Sequence, residues 1–143
     1  VARWLAKEKD LDGMLGILDK NIKTSRDGLL EIFDKIKKGG KTICGFAATS
    51  KATTIFNYCG IEPDLIPFVT DTTPQKQGKY YPGVHIPVVS QEVFEAGRTD
   101  PAKKIDYAFL GAWNHIKEIE KYQSWYRESG GHWITHVPEP KIL

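Results

Sequence analysis

Residues 42–60 read TICGFAATSKATTIFNYCG, and the way this run divides decides the fold. TICGFAA is a short apolar stretch of the kind that forms a buried strand. From Ser50 to Cys59 the period changes: Ala52, Ile55, Phe56 and Cys59 fall on one helical face, and Gly60 supplies a helix stop. Small residues fill the turn between them. A strand passing through a tight turn into a helix is the opening unit of a parallel α/β sheet.

The same alternation continues toward the C-terminus. LIPFVTD (65–71) predicts a second strand, with Pro67 pointing to an edge or a bulge. HIPVV (85–89) predicts a third, with Ser90 placed to cap a helix over Gln91–Ala96. DYAFLGAW (106–113) predicts a fourth, followed by a helix from Asn114 to Glu128 that stops at Gly130-Gly131. HWITHV (132–137) predicts a last strand before a Pro138-Glu139-Pro140 tail. Strands separated by helices require right-handed crossovers, so the expected architecture is a small Rossmann-like α/β domain with a mostly parallel sheet flanked by helices.

Ahead of the sheet lies a helical lead-in. Leu11, Leu15, Leu18, Ile22, Leu29, Phe33 and Ile36 step by three, four and seven, which is a helix stripe. Thr24-Ser25 and Gly28 weaken its middle, predicting two helices or one bent one, and Gly39-Gly40 ends it. The division expected is a helical segment over 1–38 and a Rossmann-like domain over 39–143. The helix either covers one face of the sheet or packs on something outside the domain.

The chain has 143 residues, enough for one domain with a real core. A net charge of +2 gives no reason to expect nucleic acid or a membrane surface as partner. Lys35, Lys37, Lys38 and Lys41 straddle the helix end, where cations complement the dipole. No apolar run is long enough to span a bilayer and no signal segment opens the chain, so a cytoplasmic location is expected. The first residues, Val1-Ala2-Arg3, suggest a piece of a longer protein or a processed start. Cys44 and Cys59 stand in apolar sequence without ligand spacing and read as buried thiols.

In an open α/β sheet the first strand-to-helix turn is the usual anion site. Against G-x-G-x-x-G this loop reads Gly45, Ala47, Ser50, with two glycines replaced. Against GxxxxGK[ST] it reads Gly45, Ser50, Lys51, Ala52, with the second glycine and the metal-binding hydroxyl missing. Nucleotide hydrolysis and a standard NAD site are both disfavoured. Ala48, Thr49 and Ser50 remain small enough for a phosphate to approach the backbone. Lys51 sits in the first helical turn, where the dipole disfavours a cation by about 0.3–1 kcal/mol unless an anion is bound. Thr53 and Asn57 share the helix face opposite Ile55. Asp71 ends the second strand, where such folds place the acid that holds a ribose hydroxyl; a plain Asx turn is the alternative. Lys76 follows in a turn-rich segment, His85 precedes the third strand, and Trp113, Asn114 and His115 close the fourth on the same rim. No catalytic triad or carboxylate pair is evident, and His132 and His136 receive no role.

Three motifs occur together and in order: SKxTTxxNYxG over 50–60, KQGxxxPGxHIP over 76–87, and AWN over 112–114. With GGHWITHVPEP they resemble the C-terminal domain of S-adenosylmethionine-dependent sugar C-methyltransferases, from about Leu11 to the end. The resemblance implies an N-terminal zinc-binding piece, a middle methyl-donor domain and this Rossmann-like domain, with a nucleotide-linked deoxysugar between the last two. It implies that Lys51, Asn57, Lys76, His85 and Asn114 contribute to the substrate crevice. The zinc ligands, the methyl-donor site and the acid/base residues would lie before Val1. The chain departs from the common loop at Ala47, where Gly is frequent, and at Thr49, where Pro or Ser is frequent.

The expected role is therefore to hold a nucleoside-diphosphate sugar while a preceding domain of the same protein methylates it. There a base would take a proton beside a keto group, and the enolate would attack the donor's methyl carbon. No catalytic residue, metal or cofactor is expected in this domain, which alone would be inactive. The alternatives are a non-catalytic nucleotide- or NAD-binding module, or a dimerisation domain.

Overall fold

The computed structural model describes residues 11–143. Its strands are β1 (Ile43–Phe46), β2 (Val69–Asp71), β3 (Val88–Ser90), β4 (Tyr107–Leu110), β5 (His132–Thr135) and β6 (Lys141–Ile142). They form one sheet in the order β3-β2-β1-β4-β5-β6. β1 to β5 are parallel, and β6 returns antiparallel to β5. The expected α/β architecture holds. The chain works outward from β1 to β3, then crosses back to β4, so the topological switch point lies between β1 and β4.

The helices are α1 (Leu11–Lys38), α2 (Ser50–Cys59), α3 (Glu92–Glu95), α4 (Ile116–Tyr122) and α5 (Ser124–Glu128). Side chains alternate across the strands, so each face of the sheet has its own core. On one face Leu29, Phe33 and Ile36 of α1 and Ala52 and Phe56 of α2 pack on Phe109 and Ile134. On the other, Phe94, Tyr126 and Trp133 enclose Cys44, Phe46 and Leu110. Cys44 is buried and Cys59 half-buried, both as free thiols.

Of the two alternatives for the lead-in, the single helix holds: α1 runs unbroken through Thr24-Ser25 and Gly28. Exposed pairs Lys23–Asp19, Lys35–Glu31 and Lys38–Asp34 support it at i,i+4 spacing. A Cβ on Gly28 would stand 3.5 Å from the Pro140 ring, so the tail packs where the helix lacks a side chain. Of its apolar stripe only Leu29, Phe33 and Ile36 are buried; residues 11–24 are exposed throughout.

Three expectations need correction. β2 is an interior strand, because Pro67 falls before the ladder, and Val69 donates its N–H to Pro87 at 2.9 Å. The segment after β4 is not one helix: a 3₁₀ turn (Trp113–His115) leads into α4, and Gln123 interrupts α4 and α5. Gln123 is buried; its amide donates to Glu95 at 2.9 Å and accepts the Trp125 indole N–H at 2.6 Å. Finally, the tail continues into β6, and Leu143 donates its N–H to Trp133 at 2.8 Å. At the start of α3, Ser90 accepts from the Glu92 N–H at 3.3 Å, as its capping role requires, but the α-helix ends at Glu95.

Candidate functional site

The loop from β1 to α2 is fixed before any ligand is considered. Ala47 turns it with φ of 68°, a left-handed conformation that favours glycine. Thr49 caps α2: its hydroxyl accepts the Ala52 N–H at 3.2 Å and donates to the Gly111 carbonyl at 2.8 Å. That second bond ties the β1 loop to the end of β4 across the switch point. Gly111 permits the approach, since a Cβ there would come within 2.1 Å of the Ala47 carbonyl oxygen. The Ser50 and Lys51 amides begin α2 and have no partner within the helix, so the positive end of the dipole faces outward.

A second set of bonds joins this loop to the segment between β2 and β3. The buried Asp71 carboxylate accepts the Ala48 N–H at 2.7 Å, the Lys76 ammonium at 3.1 Å and the Thr73 N–H at 2.8 Å. Lys76 also donates to the Ala48 carbonyl at 2.7 Å. Burial works against ionisation of Asp71, but the bonds from Thr73, Lys76 and Ala48 outweigh it and hold the carboxyl below its usual range. In this geometry Asp71 is a loop staple with an Asx-type turn to Thr73, and its lone pairs face inward.

Between these loops opens a cleft of about 200 Å³, lined by Ala48, Thr49, Ser50, Thr53, Lys76, Lys79, Tyr80, Tyr81, Pro82 and Val88. Lys79 stands at its edge without an ion pair among the described residues, and the Tyr80 ring is 64% exposed. Tyr81 is buried against Phe56, and its hydroxyl lies beside the Thr49 amide without a hydrogen bond of good geometry. Burial pushes its phenol up, so it stays protonated.

On the other flank of the α2 N-terminus, Lys51 donates to the Asn114 side-chain oxygen at 3.0 Å and lies 5.9 Å from the Trp113 ring centre. Trp113 and Asn114 also border a hollow of about 340 Å³ with Thr135 and Lys141. The candidate residues thus divide into two neighbouring groups. Ala48, Thr49, Ser50, Thr53 and Lys76 line the cleft, while Lys51, Trp113 and Asn114 meet beside it. Asn57 donates to the Thr53 and Pro82 carbonyls at 2.8 and 2.9 Å, pinning the cleft's outer wall to α2. His85 is exposed on the Tyr81–His85 turn with φ of 56°, and it does not line the cleft. His115 is exposed, 3.7 Å from Glu118.

Lys79, Tyr80 and Tyr81 were not among the expected site residues. They lie inside the KQGKYYPG motif, whose spacing marks the segment but not which side chains turn inward.

The structure defines the class as an open α/β sheet with a helix start at its switch point, and its sequence places it further. The chain belongs to the C-methyltransferase C-terminal domain family, whose model matches residues 1–138. Among curated proteins it is similar to the C-methyltransferase NovU of Streptomyces niveus, with 36% identity over 118 residues. That match takes in 82% of this chain and 27% of the relative, so the chain spans little more than a quarter of the protein it resembles. No helix among the described residues is long and apolar enough to cross a membrane.

Proposed function

We propose that this chain is the substrate-holding domain of an S-adenosylmethionine-dependent sugar C-methyltransferase, gripping a nucleoside-diphosphate sugar while a preceding domain performs the transfer. The observation that carries the reading is the cleft at the N-terminus of α2. The start of α2 at Ser50, whose amide has no partner within the helix, and the exposed Lys79 border one small space there, over the buried Tyr81 ring. Amides and ammonium groups suit a phosphate, and the exposed Tyr80 ring offers a face for a base or sugar.

Size argues for a shared site. A cleft of about 200 Å³ is smaller than the roughly 300–1,000 Å³ of a complete small-molecule site. It accommodates a diphosphate or one sugar ring and leaves the rest of the ligand to another surface. Lys51 and Asn114 hold each other on the adjoining rim, ready to turn toward polar groups of the same ligand.

The methyl donor does not fit this domain. Its ribose would need a free acid at the end of β2, and the Asp71 oxygens already accept three hydrogen bonds from the protein. The same saturation disfavours an NAD site. On this reading the donor and the structural zinc belong to parts outside this chain, and the role of these residues is positioning. Holding the acceptor in line with a donor removes much of the entropic barrier to a two-substrate reaction.

Titration calorimetry of the full-length protein with thymidine-, uridine- and guanosine-diphosphate sugars tests the proposal. One of these ligands is expected to bind saturably. Lys79→Ala is expected to weaken it by about tenfold, the value of one hydrogen bond to a charged oxygen. The same change leaves stability nearly unaltered, since the Lys79 side chain is exposed. Silence from all three ligands would end the reading.

A further inference from the structure

Helix α1 carries more apolar surface than its own domain covers. At 100° per residue, Leu11, Met14, Leu15, Leu18 and Ile22 fall within about 100° of one another. Leu29, Phe33 and Ile36, which pack on the sheet, lie in the same sector. The stripe is therefore continuous and in phase along the helix, but only its C-terminal half is used. Leu11, Met14, Leu15, Leu18 and Ile22 remain 41–58% exposed. Residues 11–24 form an arm roughly 20 Å long.

The direction of the arm follows from its neighbours. α1 ends at the amino end of β1, while Ile22, Arg26 and Leu29 share a small cavity with Ile55, Tyr58 and Cys59 in the C-terminal half of α2 and with His136, just past the carboxyl end of β5. The helix thus crosses the sheet face diagonally and leaves it at the carboxyl rim. Because the exposed half of the stripe is in phase with the buried half, it continues the apolar face of α1 past the surface that its own domain covers.

We propose that the arm is the docking rail for the preceding, methyl-transferring part of the same polypeptide, fixing its position relative to this domain. This rests on the reading of the chain as one domain of a longer enzyme. Two observations favour that occupant over a second copy. Among the described residues the exposed stripe, Leu11 to Ile22, spans less than two heptads, short of the three or four that a coiled coil needs. A single arm of this length also offers far less than the roughly 800 Å² per partner of a stable dimer. A tethered domain faces no such requirement, because its effective concentration is of millimolar order. The matched relative supplies such a partner: this chain covers only 27% of it, and the family describes a C-terminal domain.

Hydrogen exchange on the full-length enzyme decides the matter. Amides of residues 14–24 are expected to exchange slowly in the wild type and rapidly in Leu15→Glu/Leu18→Glu, with the monomer mass unchanged by light scattering. That variant is expected to lose about 100-fold in kcat/KM through misplacement of the acceptor, while Lys20→Glu, on the polar face, retains activity. The retained fold of the variant is checked by unchanged exchange at β1 and β4. Fast exchange of the arm in the wild type would overturn the proposal, as would wild-type activity in the double variant. Slow exchange accompanied by a dimer mass that the variant loses would assign the stripe to a second copy instead. Absence of nucleotide-sugar binding with the arm still protected would defeat the substrate reading and leave the docking intact.

Discussion

Ala47 shows how one residue stores strain beside a site. Its φ of 68° costs an L-residue roughly 1–2 kcal/mol, whereas glycine adopts it freely but adds about 0.4–1 kcal/mol of unfolded-state entropy. Ala47→Gly is therefore expected to stabilise the domain by about 0.5–1 kcal/mol, read as a higher urea midpoint with unchanged slope. The family resemblance names this position as one where glycine is frequent, and the backbone supplies the physical reason. What remained illegible at the residue scale was direction. Asp71 and Tyr81 differ from surface side chains only in which way they point, and that is set by β2 and the 76–88 segment meeting in three dimensions.

Among the elements, helix α1 is where composition misleads. Gly28 carries the usual weakness of a helical glycine, yet the helix runs through it, because packing on the sheet outweighs local propensity. A Cβ there would meet the Pro140 ring at 3.5–3.7 Å, an ordinary contact. Gly28→Ala is expected to raise stability by up to about 1 kcal/mol, measured by thermal unfolding. The opposite sign is expected at the α4–α5 junction. Gln123→Ala strips the Trp125 indole of its acceptor and Glu95 of one donor, a loss of about 1–3 kcal/mol. The strands β1, β2, β4 and β5 were legible because apolar runs bounded by turn residues leave little choice. β6 was not, because two residues have no period; only its ladder with β5 defines it.

The whole molecule has an acid limb that can be read from its bonded carboxylates. Asp106 resembles Asp71: burial opposes ionisation, and hydrogen bonds from Thr42 prevail. Glu95 is lowered chiefly by bonds from Gln123 and Gln91. Each folded pKa lies below the unfolded value near 4, so the stability these groups add is complete above that value. It is lost as pH falls through the folded values. His136 adds a gentler slope at higher pH. Burial lowers its pKa, so from about pH 6.5 downward the unfolded chain takes up the proton first and stability declines. Urea titrations from pH 7 to 3 are expected to show a shallow fall followed by a steep one. His136→Phe should flatten the first portion and Asp71→Asn the second, with a lower neutral plateau for Asp71→Asn.

The bridge from Lys76 to Asp71 and the Ala48 carbonyl bears on the time course of binding. One ammonium group holds the two walls of the cleft together, and Asn57 pins the outer wall to α2. A cavity already assembled does not wait for a loop to close, so on the proposed function capture is expected to be a single encounter with a rate proportional to ligand concentration. On the same proposal, a slower unimolecular phase in stopped-flow traces of the full-length protein is expected to come from the approach of a preceding domain, its rate reporting how fast the two parts shut.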